Sequence, residues 1–257
     1  YMNQALSAAA GHVAELVRAS GKIVLLSGAG MSTSAGIPDF RGPDGLYRKL
    51  GIDNPERIFD IGVFERDPSF YYGFHREFLR QVEAVKPTAA HRFFARLEEQ
   101  GKLAGIVTQN IDALHQKAGS GRVLEIHGSI WKSHCTGCGK GYSYEESARK
   151  VESEGVPLCD SCRGVLKPDV VFFGENVMHF DACQELAARA DLLFVVGSSL
   201  VVTPAAWLPS LCSGSIVVVN RGEISRTYLP SSRVALHVEE DIDTFFTALA
   251  EKLGFTV

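Results

Sequence analysis

The stretch SGAGMSTSAGIPDFRG, residues 27–42, follows the apolar run IVLL at residues 23–26. A buried strand that ends at Gly28 and Gly30 and leads into a helix offers free backbone N–H groups and the positive end of a helix dipole, which suit a pyrophosphate. The fingerprint of dinucleotide-dependent oxidoreductases needs a third glycine or alanine at position 33, where this chain has Thr33. The turn therefore predicts a nucleotide-binding parallel sheet. The loop after Gly30 is not expected to serve a dinucleotide-dependent oxidoreductase.

The rest of the chain alternates between short apolar runs and helical patterns. Seven runs have the composition of strands: Ile23–Ser27, Leu103–Thr108, Val123–His127, Val170–Phe173, Leu192–Gly197, Ile216–Asn220 and Val234–Val238. Six segments have helical periodicity, with start signals at Thr88 and Asp241: Ala5–Ala19, Ser69–Val85, Ala89–Gln100, Ala113–Ala118, Ala182–Ala190 and Ile242–Leu253. Continuous apolar runs are typical of strands buried on both faces. The expected fold class is α/β, with a Rossmann-like, doubly wound parallel sheet.

Two segments interrupt this alternation. Residues 42–85 are rich in aromatic side chains and predict a helical module, and residues 131–166 contain paired cysteines. We expect both segments to be inserted into one large domain and to form a smaller domain together. The Rossmann-like domain then comprises residues 1–41, 86–130 and 167–257.

Four cysteines follow the pattern C-x2-C-x20-C-x2-C, at Cys135, Cys138, Cys159 and Cys162. Two matched C-x-x-C pairs place four thiolates where they can surround one tetrahedral zinc, whereas a redox pair would occur once, at a strand-to-helix turn. Because all four ligands are cysteine, no position is left open for a catalytic water, and the metal is predicted to be structural. His134 is adjacent to the first ligand and is not needed as a ligand itself.

Composition restricts the possible partners. The net charge of −4 argues against bulk electrostatic binding to nucleic acid or to anionic lipid, because phosphate neutralisation requires excess Lys and Arg. No run reaches the roughly 18 apolar residues that a membrane helix needs, and no export signal is recognisable. We expect a cytoplasmic protein, a monomer, with no direct nucleic-acid or membrane partner.

Polar residues follow further strands of the predicted sheet. The segment Thr108–Asp112 reads TQNID, the turn at residues 197–199 reads GSS, and Asn220 ends the next strand. The carboxyl ends of parallel strands meet at one edge of an open α/β sheet, so these residues are expected to line one crevice. Helix capping is the alternative for Asp112, but a cap needs one such residue rather than a cluster.

His127 ends the segment VLEIH and is followed by glycine. A single histidine at the end of an apolar strand is more often structural than catalytic. Histidine nevertheless titrates near neutrality and can take and return a proton there, so His127 is also a candidate general base.

Taken in chain order, the motifs GAGMSTSAGIPDFRG, TQNIDALHQKAG, EIHG, the four-cysteine segment, VVFFGE, VVGSSLVV and VVVN resemble the sirtuins, which are NAD-dependent protein lysine deacylases. The similarity is to bacterial and archaeal members with a single catalytic core, and it extends from Gly21 to Leu253. It implies a Rossmann-like domain and a smaller lobe made of a zinc-binding module and a helical module.

The resemblance also implies a reaction that consumes NAD as a cosubstrate. The acyl-lysine oxygen attacks the ribose as nicotinamide leaves, the acyl group passes to ADP-ribose, and the products are free lysine, nicotinamide and O-acetyl-ADP-ribose. His127 would be the general base, Asn110 would orient ribose and a water, and Asp112 would bind the nicotinamide carboxamide.

The same resemblance implies two sets of binding residues. The cofactor-binding set is Gly28, Ala29, Gly30, Ser32, Ile37, Pro38, Asp39, Phe40, Arg41, Gln109, Asn110, Ile111, Asp112, Gly197, Ser198, Ser199, Asn220, Arg221, Asp241 and Ile242. The substrate peptide would lie as an added strand along Val171, Phe173, Gly174, Glu175, Leu200 and Val201. Main-chain pairing of this kind gives affinity with little sequence demand.

Acyl preference is predicted from one departure. Family members that prefer succinyl or malonyl groups carry a Tyr-x-x-Arg pair, where this chain has Tyr72 and His75. Histidine lacks the bidentate guanidinium, so acetyl or longer neutral acyl groups are expected.

Two other functions compete with the deacylase hypothesis: an NAD-dependent oxidoreductase and a noncatalytic nucleotide-sensing module. Protein ADP-ribosylation stays open as a side activity.

Overall fold

The structure is a computed structural model that describes residues 4–37 and 54–257. Pro38, Asp39, Phe40 and Arg41, predicted to lie over the cofactor, are outside the described residues. The described chain forms two compact units. The first contains residues 4–37, Lys86–Ile126 and His179–Val257, and the second contains residues 54–85 and His127–Met178.

Strands and helices are numbered here in chain order over the described ranges. The strands are β1 (Ile23–Ser27), β2 (Leu103–Thr108), β3 (Val123–Glu125), β4 (Gly128–Cys135), β5 (Gly141–Ser143), β6 (Leu166–Val170), β7 (Leu192–Val196), β8 (Ser215–Val219) and β9 (Val234–Val238). The α-helices are α1 (Gln4–Ala19), α2 (Ile61–Arg66), α3 (Pro68–Ala84), α4 (Ala89–Glu99), α5 (Leu114–Lys117), α6 (Tyr144–Glu154), α7 (Phe180–Ala188), α8 (Leu208–Leu211) and α9 (Ile242–Leu253). Short 3₁₀ helices occupy Ala29–Ala35, Pro55–Phe59, Ala205–Trp207 and Ser231–Arg233.

The first unit contains a six-stranded parallel sheet with the order β3-β2-β1-β7-β8-β9. Strand β1 pairs with β2 on one side and with β7 on the other, so the strand order reverses between β1 and β7. Ser27 lies opposite Val196, which brings the carboxyl ends of these two strands level. The predicted Rossmann-like sheet is confirmed, and its switch point, where such sheets bind ligands, lies between β1 and β7.

Helices cover this sheet because their apolar faces match its continuous apolar strands. All five residues of β1 are buried, and Phe94 of α4 packs edge-on against Phe194 of β7 and against Phe246 of α9. Burying one such aromatic side chain stabilises the fold by about 1.5–3 kcal/mol. Both predicted helix starts are confirmed, since Thr88 forms a capping box and Asp241 accepts the N–H of the residue three positions on.

The second unit contains an antiparallel sheet with the order β5-β4-β6, together with α2, α3 and α6. A cluster of T-shaped and tilted ring contacts joins Phe59, Phe64, Tyr71, Tyr72 and Phe172. These rings account for the aromatic-rich composition of the predicted helical module.

One predicted strand was wrong in its bounds and in its sheet. Residues 170–173 were expected to be a strand of the parallel sheet, but β6 ends at Val170 and pairs antiparallel with β4. Phe172 leaves the strand direction to pack among the aromatic rings, and Phe173 forms an isolated bridge with Asp60. An apolar run cannot by itself distinguish a parallel strand from a segment buried among aromatic rings.

None of the helices within the described ranges combines the length and the apolar character needed to cross a membrane.

Candidate functional site

Two glycine turns pack against each other at the switch point of the parallel sheet. The N–H of Gly28 donates to Val196 O at 2.9 Å, and the N–H of Gly30 donates to Gly197 O at 2.9 Å. A Cβ on Gly28 would lie 2.6 Å from Gly197 O, and a Cβ on Gly197, whose φ is +62°, would lie 2.2 Å from the Met31 nitrogen. The turns therefore require glycine for backbone-to-backbone packing, and the N–H groups of Gly28 and Gly30 are used within the protein.

Polar side chains gather beside these turns, and we call them the strand-tip cluster. Its members are Ser27, Ser32, Thr108, Gln109, Asn110, Asp112 and Ser198. All belong to the first unit and come from the ends of β1, β2 and β7 or from the turns that follow. The sheet topology thus brings together the glycine turn, the TQNID segment and the GSS turn, as the sequence predicted.

Asn110 connects the cluster to the first glycine turn. Its Nδ2 donates to Gly28 O at 3.0 Å and to Ser32 Oγ at 3.3 Å, while its backbone N–H donates to Thr108 Oγ1 at 3.1 Å. Its side chain is buried. These contacts fix the Asn110 amide in one orientation. A side chain that positions a ligand must be held in this way.

Gln109 connects the cluster to the second glycine turn. Its Nε2 donates to Ser198 Oγ at 2.9 Å, and its backbone N–H donates to Ser27 O at 3.0 Å. Ser198 Oγ also accepts the N–H of Leu200, which adopts a left-handed φ of +53°. The turn after β7 is therefore shaped by the same hydroxyl that meets the Gln109 amide.

Asp112 is the carboxylate of the cluster. It is 4% exposed, its Oδ2 accepts the Ser32 hydroxyl at 2.7 Å, and its Oδ1 accepts the Leu114 N–H at 2.9 Å. Burial raises the pKa of Asp112, and the hydrogen bonds from Leu114 and Ser32 offset part of that rise. The N-cap position of α5 is Ala113, which makes no side-chain capping bond, so Asp112 is not the cap that the alternative interpretation expected; it accepts the first N–H of α5 with one of its two carboxylate oxygens.

Other predicted cofactor-binding residues lie in the same unit. Asn220 is buried at the end of β8, with its Nδ2 donating to Arg221 O at 3.0 Å. Asp241 caps α9 through Thr244. The remaining positions are Ala29 at the start of a 3₁₀ helix, buried Ile37 and Ile111, partly buried Ser199, exposed Arg221, and Ile242 as the first residue of α9.

His127 belongs to the second unit and is half-buried. Its backbone oxygen accepts the Val171 N–H at 2.8 Å. In the chain it directly follows Ile126, whose N–H donates to Thr108 O at 3.1 Å in the first unit. His127 is thus the next residue in the chain after one that is hydrogen-bonded to the last residue of β2.

Residues predicted to bind a peptide occupy both units. In the second unit, the Phe173 N–H donates to Phe59 O at 2.7 Å and Phe173 O accepts the Ile61 N–H at 3.1 Å. The Phe173 backbone is therefore already paired, and Gly174, with a φ of +97°, follows it. In the first unit, Leu200 is buried and Val201 is 56% exposed.

The four cysteines form a compact cluster in the second unit, with all four sulfur atoms within 4.8 Å of one another. Tetrahedral zinc with Zn–S bonds of about 2.3 Å requires sulfur separations of about 3.8 Å, and the Cys138–Cys159 separation is 3.7 Å. Backbone N–H groups point at the sulfurs, including those of Gly137 and Ser161 at 3.3 and 3.4 Å. This donor set fits a structural zinc.

The two residues considered for acyl recognition lie in α3. Tyr72 donates from its hydroxyl to Leu166 O at 2.5 Å, and Nδ1 of His75 lies 3.0 Å from the Tyr71 hydroxyl. Burial lowers the pKa of His75 to about 3, so its ring is neutral at pH 7.

Sequence reasoning missed His115 and the hydrogen bonds that join it to two members of the cluster. Ser27 and Thr108 join their hydroxyls at 2.8 Å, and His115 contacts Ser27 at 2.8 Å through Nε2. The sequence did contain a signal for these bonds, because two otherwise apolar strands, β1 and β2, both end in a hydroxyl residue. His134, beside the cysteines, pairs with Asp169 at 2.7 Å and lies outside the cysteine cluster.

Comparison with known proteins agrees with this geometry. Residues 28–204 match the Sir2 family. An NAD-dependent protein deacetylase of Thermotoga maritima is 46% identical over 215 residues, which is 81% of this chain and 85% of the relative. A solved Sir2 structure with a deacetylated p53 peptide and 3′-O-acetyl ADP ribose has a TM-score of 0.88 at 40% identity, and it covers 95% of this chain and 98% of its own. A structure of Sir2 with a p53 peptide and NAD+ has a TM-score of 0.85 at 39% identity and the same coverage. With a family match over well over half of its length and with relatives this similar, the chain belongs to the Sir2 family, the sirtuins.

Proposed function

We propose that the strand-tip cluster binds NAD and that His127 acts as the general base in the deacylation of protein lysines. The protein is an NAD-dependent protein deacetylase that cleaves NAD to nicotinamide and transfers the acyl group to ADP-ribose. The observation that carries the assignment of the site is the buried polar cluster at the switch point between β1 and β7.

The cluster suits a dinucleotide because it combines fixed amide groups, hydroxyls and one carboxylate. When bound, NAD supplies the ribose that accepts the acyl group. Asp112 holds a carboxylate oxygen in a buried place, where it can accept an N–H of the nicotinamide carboxamide. Asn110 is restrained by Gly28 and Ser32 and would orient the ribose and a water. Positioning of this kind replaces a random encounter by a near-attack geometry.

His127 is assigned the proton transfer. An imidazole can accept a proton near neutral pH and return it. With NAD bound, His127 would accept the proton of a ribose hydroxyl, and that hydroxyl would supply the group that takes up the acyl carbon. General-base catalysis of this type contributes about 10²–10⁴-fold.

The domain division follows the same assignment. We assign residues 1–41, 86–130 and 167–257 to the NAD-binding domain, and residues 42–85 and 131–166 to the small domain with its helical and zinc-binding modules. The compact second unit also takes in residues 127–130 and 167–178. Acyl-lysine peptides bind as an added strand along residues 171–175 and 200–201. Since the Phe173 backbone already pairs with Phe59 and Ile61, and the Glu175 N–H donates to Phe172 O at 3.0 Å, Gly174 supplies the pairing groups on that side.

The central experiment incubates the protein with NAD and an acetyl-lysine peptide and detects the products by mass spectrometry. We expect deacetylated peptide, nicotinamide and O-acetyl-ADP-ribose in equal amounts. His127→Ala should lower turnover by about 10²–10⁴-fold with the zinc content and thermal midpoint unchanged. His12→Ala is the matched control, because His12 is exposed on α1 and takes no part in the hydrogen bonds of the cluster described above. Turnover by His127→Ala at the wild-type rate would reject the assignment of the base.

The protein is assigned a preference for neutral acyl groups over those that carry a carboxylate. The buried, neutral ring of His75 offers no cation to a succinyl carboxylate, since burial holds its pKa near 3. We expect kcat/KM for an acetylated peptide to exceed that for the same peptide succinylated. Equal values would contradict this assignment and leave the deacylase reaction intact.

Two further properties, the oligomeric state and the location of the protein, complete the proposal. The protein acts as a monomer in the cytoplasm, where reducing conditions keep the four zinc-binding thiols available. It needs no nucleic-acid partner, because a net charge of −4 offers no general attraction for phosphates. Sedimentation equilibrium at micromolar concentration tests the monomer.

A further inference from the structure

Two buried histidines face each other beneath the strand-tip cluster. His91 belongs to α4 and His115 to α5; they are 0% and 1% exposed, and their ring centroids are 4.8 Å apart. Neither histidine belongs to the proposed catalytic or cofactor-binding set. Both lie in the first unit, together with the whole cluster above them.

Hydrogen bonds continue from these rings to the cluster. Nε2 of His115 lies 2.8 Å from Ser27 Oγ, which donates to Thr108 Oγ1 at 2.8 Å. Thr108 Oγ1 also accepts the backbone N–H of Asn110 at 3.1 Å. On the other side, Nδ1 of His91 accepts from the backbone of Thr88 at 3.3 Å. We call this series, from Thr88 to Asn110, the histidine chain.

Counting donors gives the histidine chain a single direction. A backbone N–H can only donate, so Nδ1 of His91 is an acceptor and its neutral ring carries the proton on Nε2. In the structure the Ser27 hydroxyl donates to Thr108 Oγ1; with that direction Ser27 Oγ accepts from His115 Nε2, and Nδ1 of His115 is an acceptor.

The atoms left over are complementary. Nε2 of His91 and Nδ1 of His115 are buried and have no hydrogen-bond partner among the described residues. Counting leaves a donor on His91 and an acceptor on His115. The opposite tautomer of His115 would set two N–H groups against each other in a dry interior, which is unfavourable.

We propose that His115 is a positioning residue of the deacetylase reaction, which acts by donating from Nε2 to Ser27 and thereby fixing Thr108 and Asn110. The inference rests on the proposed function of the strand-tip cluster. Through Asn110 the effect extends further, because the Asn110 amide donates to Ser32, which in turn donates to Asp112. His91 sets the tautomer of His115 from the opposite side.

Two substitutions at position 115 distinguish positioning from packing. In His115→Gln, the side-chain amide nitrogen lies near the position of Nε2 and can still donate to Ser27. In His115→Asn, the shorter amide lies near the position of Nδ1 and cannot reach Ser27. Both variants remove the ring and leave a similar packing defect, so their thermal midpoints should fall by similar amounts.

Activity should separate the two variants. A displacement of about 1 Å at a positioning group can cost about 100-fold, so we expect His115→Asn to lose about 100-fold in kcat and in nicotinamide–NAD exchange. His115→Gln should stay within about 5-fold of wild type, by the same positioning argument. The KM for acetylated peptide should be unchanged in both. Equal losses per folded molecule in the two variants would overturn the proposal.

Nuclear magnetic resonance tests the tautomers independently of turnover. Long-range ¹H–¹⁵N spectra of the wild-type protein at pH 7 should show Nε2–H on both His91 and His115. An Nδ1–H tautomer at His115 would overturn the inferred direction of the histidine chain. A wild-type protein without deacetylase or exchange activity would instead reject the proposed function, and with it the reaction that His115 is inferred to support.

Discussion

The strand-tip cluster and the cysteine cluster are both small polar sites, yet the chain builds them in opposite ways. Ser32 and Asp112 are 80 positions apart in the sequence and meet only because β1 and β2 are neighbours in the sheet. The cysteine cluster is organised locally, with N–H groups two or three positions away pointing at the sulfurs of Cys135 and Cys159. The first site thus depends on the packing of the sheet, and the second on its metal.

The largest expected effect comes from removing the metal. Structural zinc contributes an apparent free energy of about 10–16 kcal/mol to small domains, so Cys159→Ala should unfold β4, β5 and β6. Hydrogen exchange should show lost protection in these strands, whereas β1, β2 and β7 stay protected, and deacetylation should be abolished. Zinc content is measured by atomic absorption.

Cys212→Ala is the control for this experiment. Cys212 is also a buried thiol, but it lies in the first unit outside the cysteine cluster. This variant should retain one zinc per chain and protected β4–β6 strands. A folded, fully active Cys159→Ala protein without zinc would show that the cluster does not hold the second unit together.

The second largest effect concerns the glycine turns, and it should spare the zinc. Gly197→Ala would place a Cβ 2.2 Å from the Met31 nitrogen at a φ of +62°. Gly222 also has a left-handed φ, of +84°, but nothing lies within 4 Å of a Cβ there. Gly222→Ala should therefore cost only the backbone strain of about 1–2 kcal/mol, and Gly197→Ala substantially more.

Urea unfolding and nicotinamide exchange measure this difference. Gly197→Ala should lose exchange activity while keeping its zinc, and Gly222→Ala should keep both. Similar free energies of unfolding for the two variants would mean that the turns can move apart, and that the strand-tip cluster depends less on this packing than the distances indicate.

The comparison also explains what could be predicted from the sequence. The cysteine cluster was predictable because the spacing of its four cysteines in the sequence is typical of a zinc site. The parallel sheet was predictable because strands buried on both faces are continuously apolar. The residues at the strand tips could be grouped only because carboxyl ends of parallel strands meet at one edge.

What could not be predicted is also physical. The pairing of Phe173 with Phe59 and Ile61 depends on aromatic packing in the second unit, and an apolar run carries no sign of it. The histidine chain depends on side chains from α4, α5, β1 and β2 meeting beneath the turns. Each of its polar residues has an ordinary alternative explanation when read alone, such as capping for Thr88.

The smallest expected effect is the response of the first unit to acid. Burial lowers the pKa of His91 to about 4, while nearby Asp243 raises it and Arg92 lowers it. Above pH 6.5 the ring is neutral in the folded and unfolded states alike. As pH falls below 6.5 the unfolded chain binds the proton first, so stability is lost by about 1.4 kcal/mol per pH unit until pH approaches the folded pKa.

His91→Asn isolates the contribution of His91 to the loss of stability in acid. An Asn oxygen can still accept the Thr88 N–H, but the residue no longer titrates. Between pH 6.5 and 4.5, the free energy that protects β1 amides from exchange should fall by about 2–3 kcal/mol less in this variant than in wild type. Exchange in β1 is the right measure, because acid also protonates the zinc-binding thiolates and weakens the second unit for a different reason. Identical pH slopes in the two proteins would show that His91 is charged in the folded state, and the donor count that orients the histidine chain would then fail at its first ring.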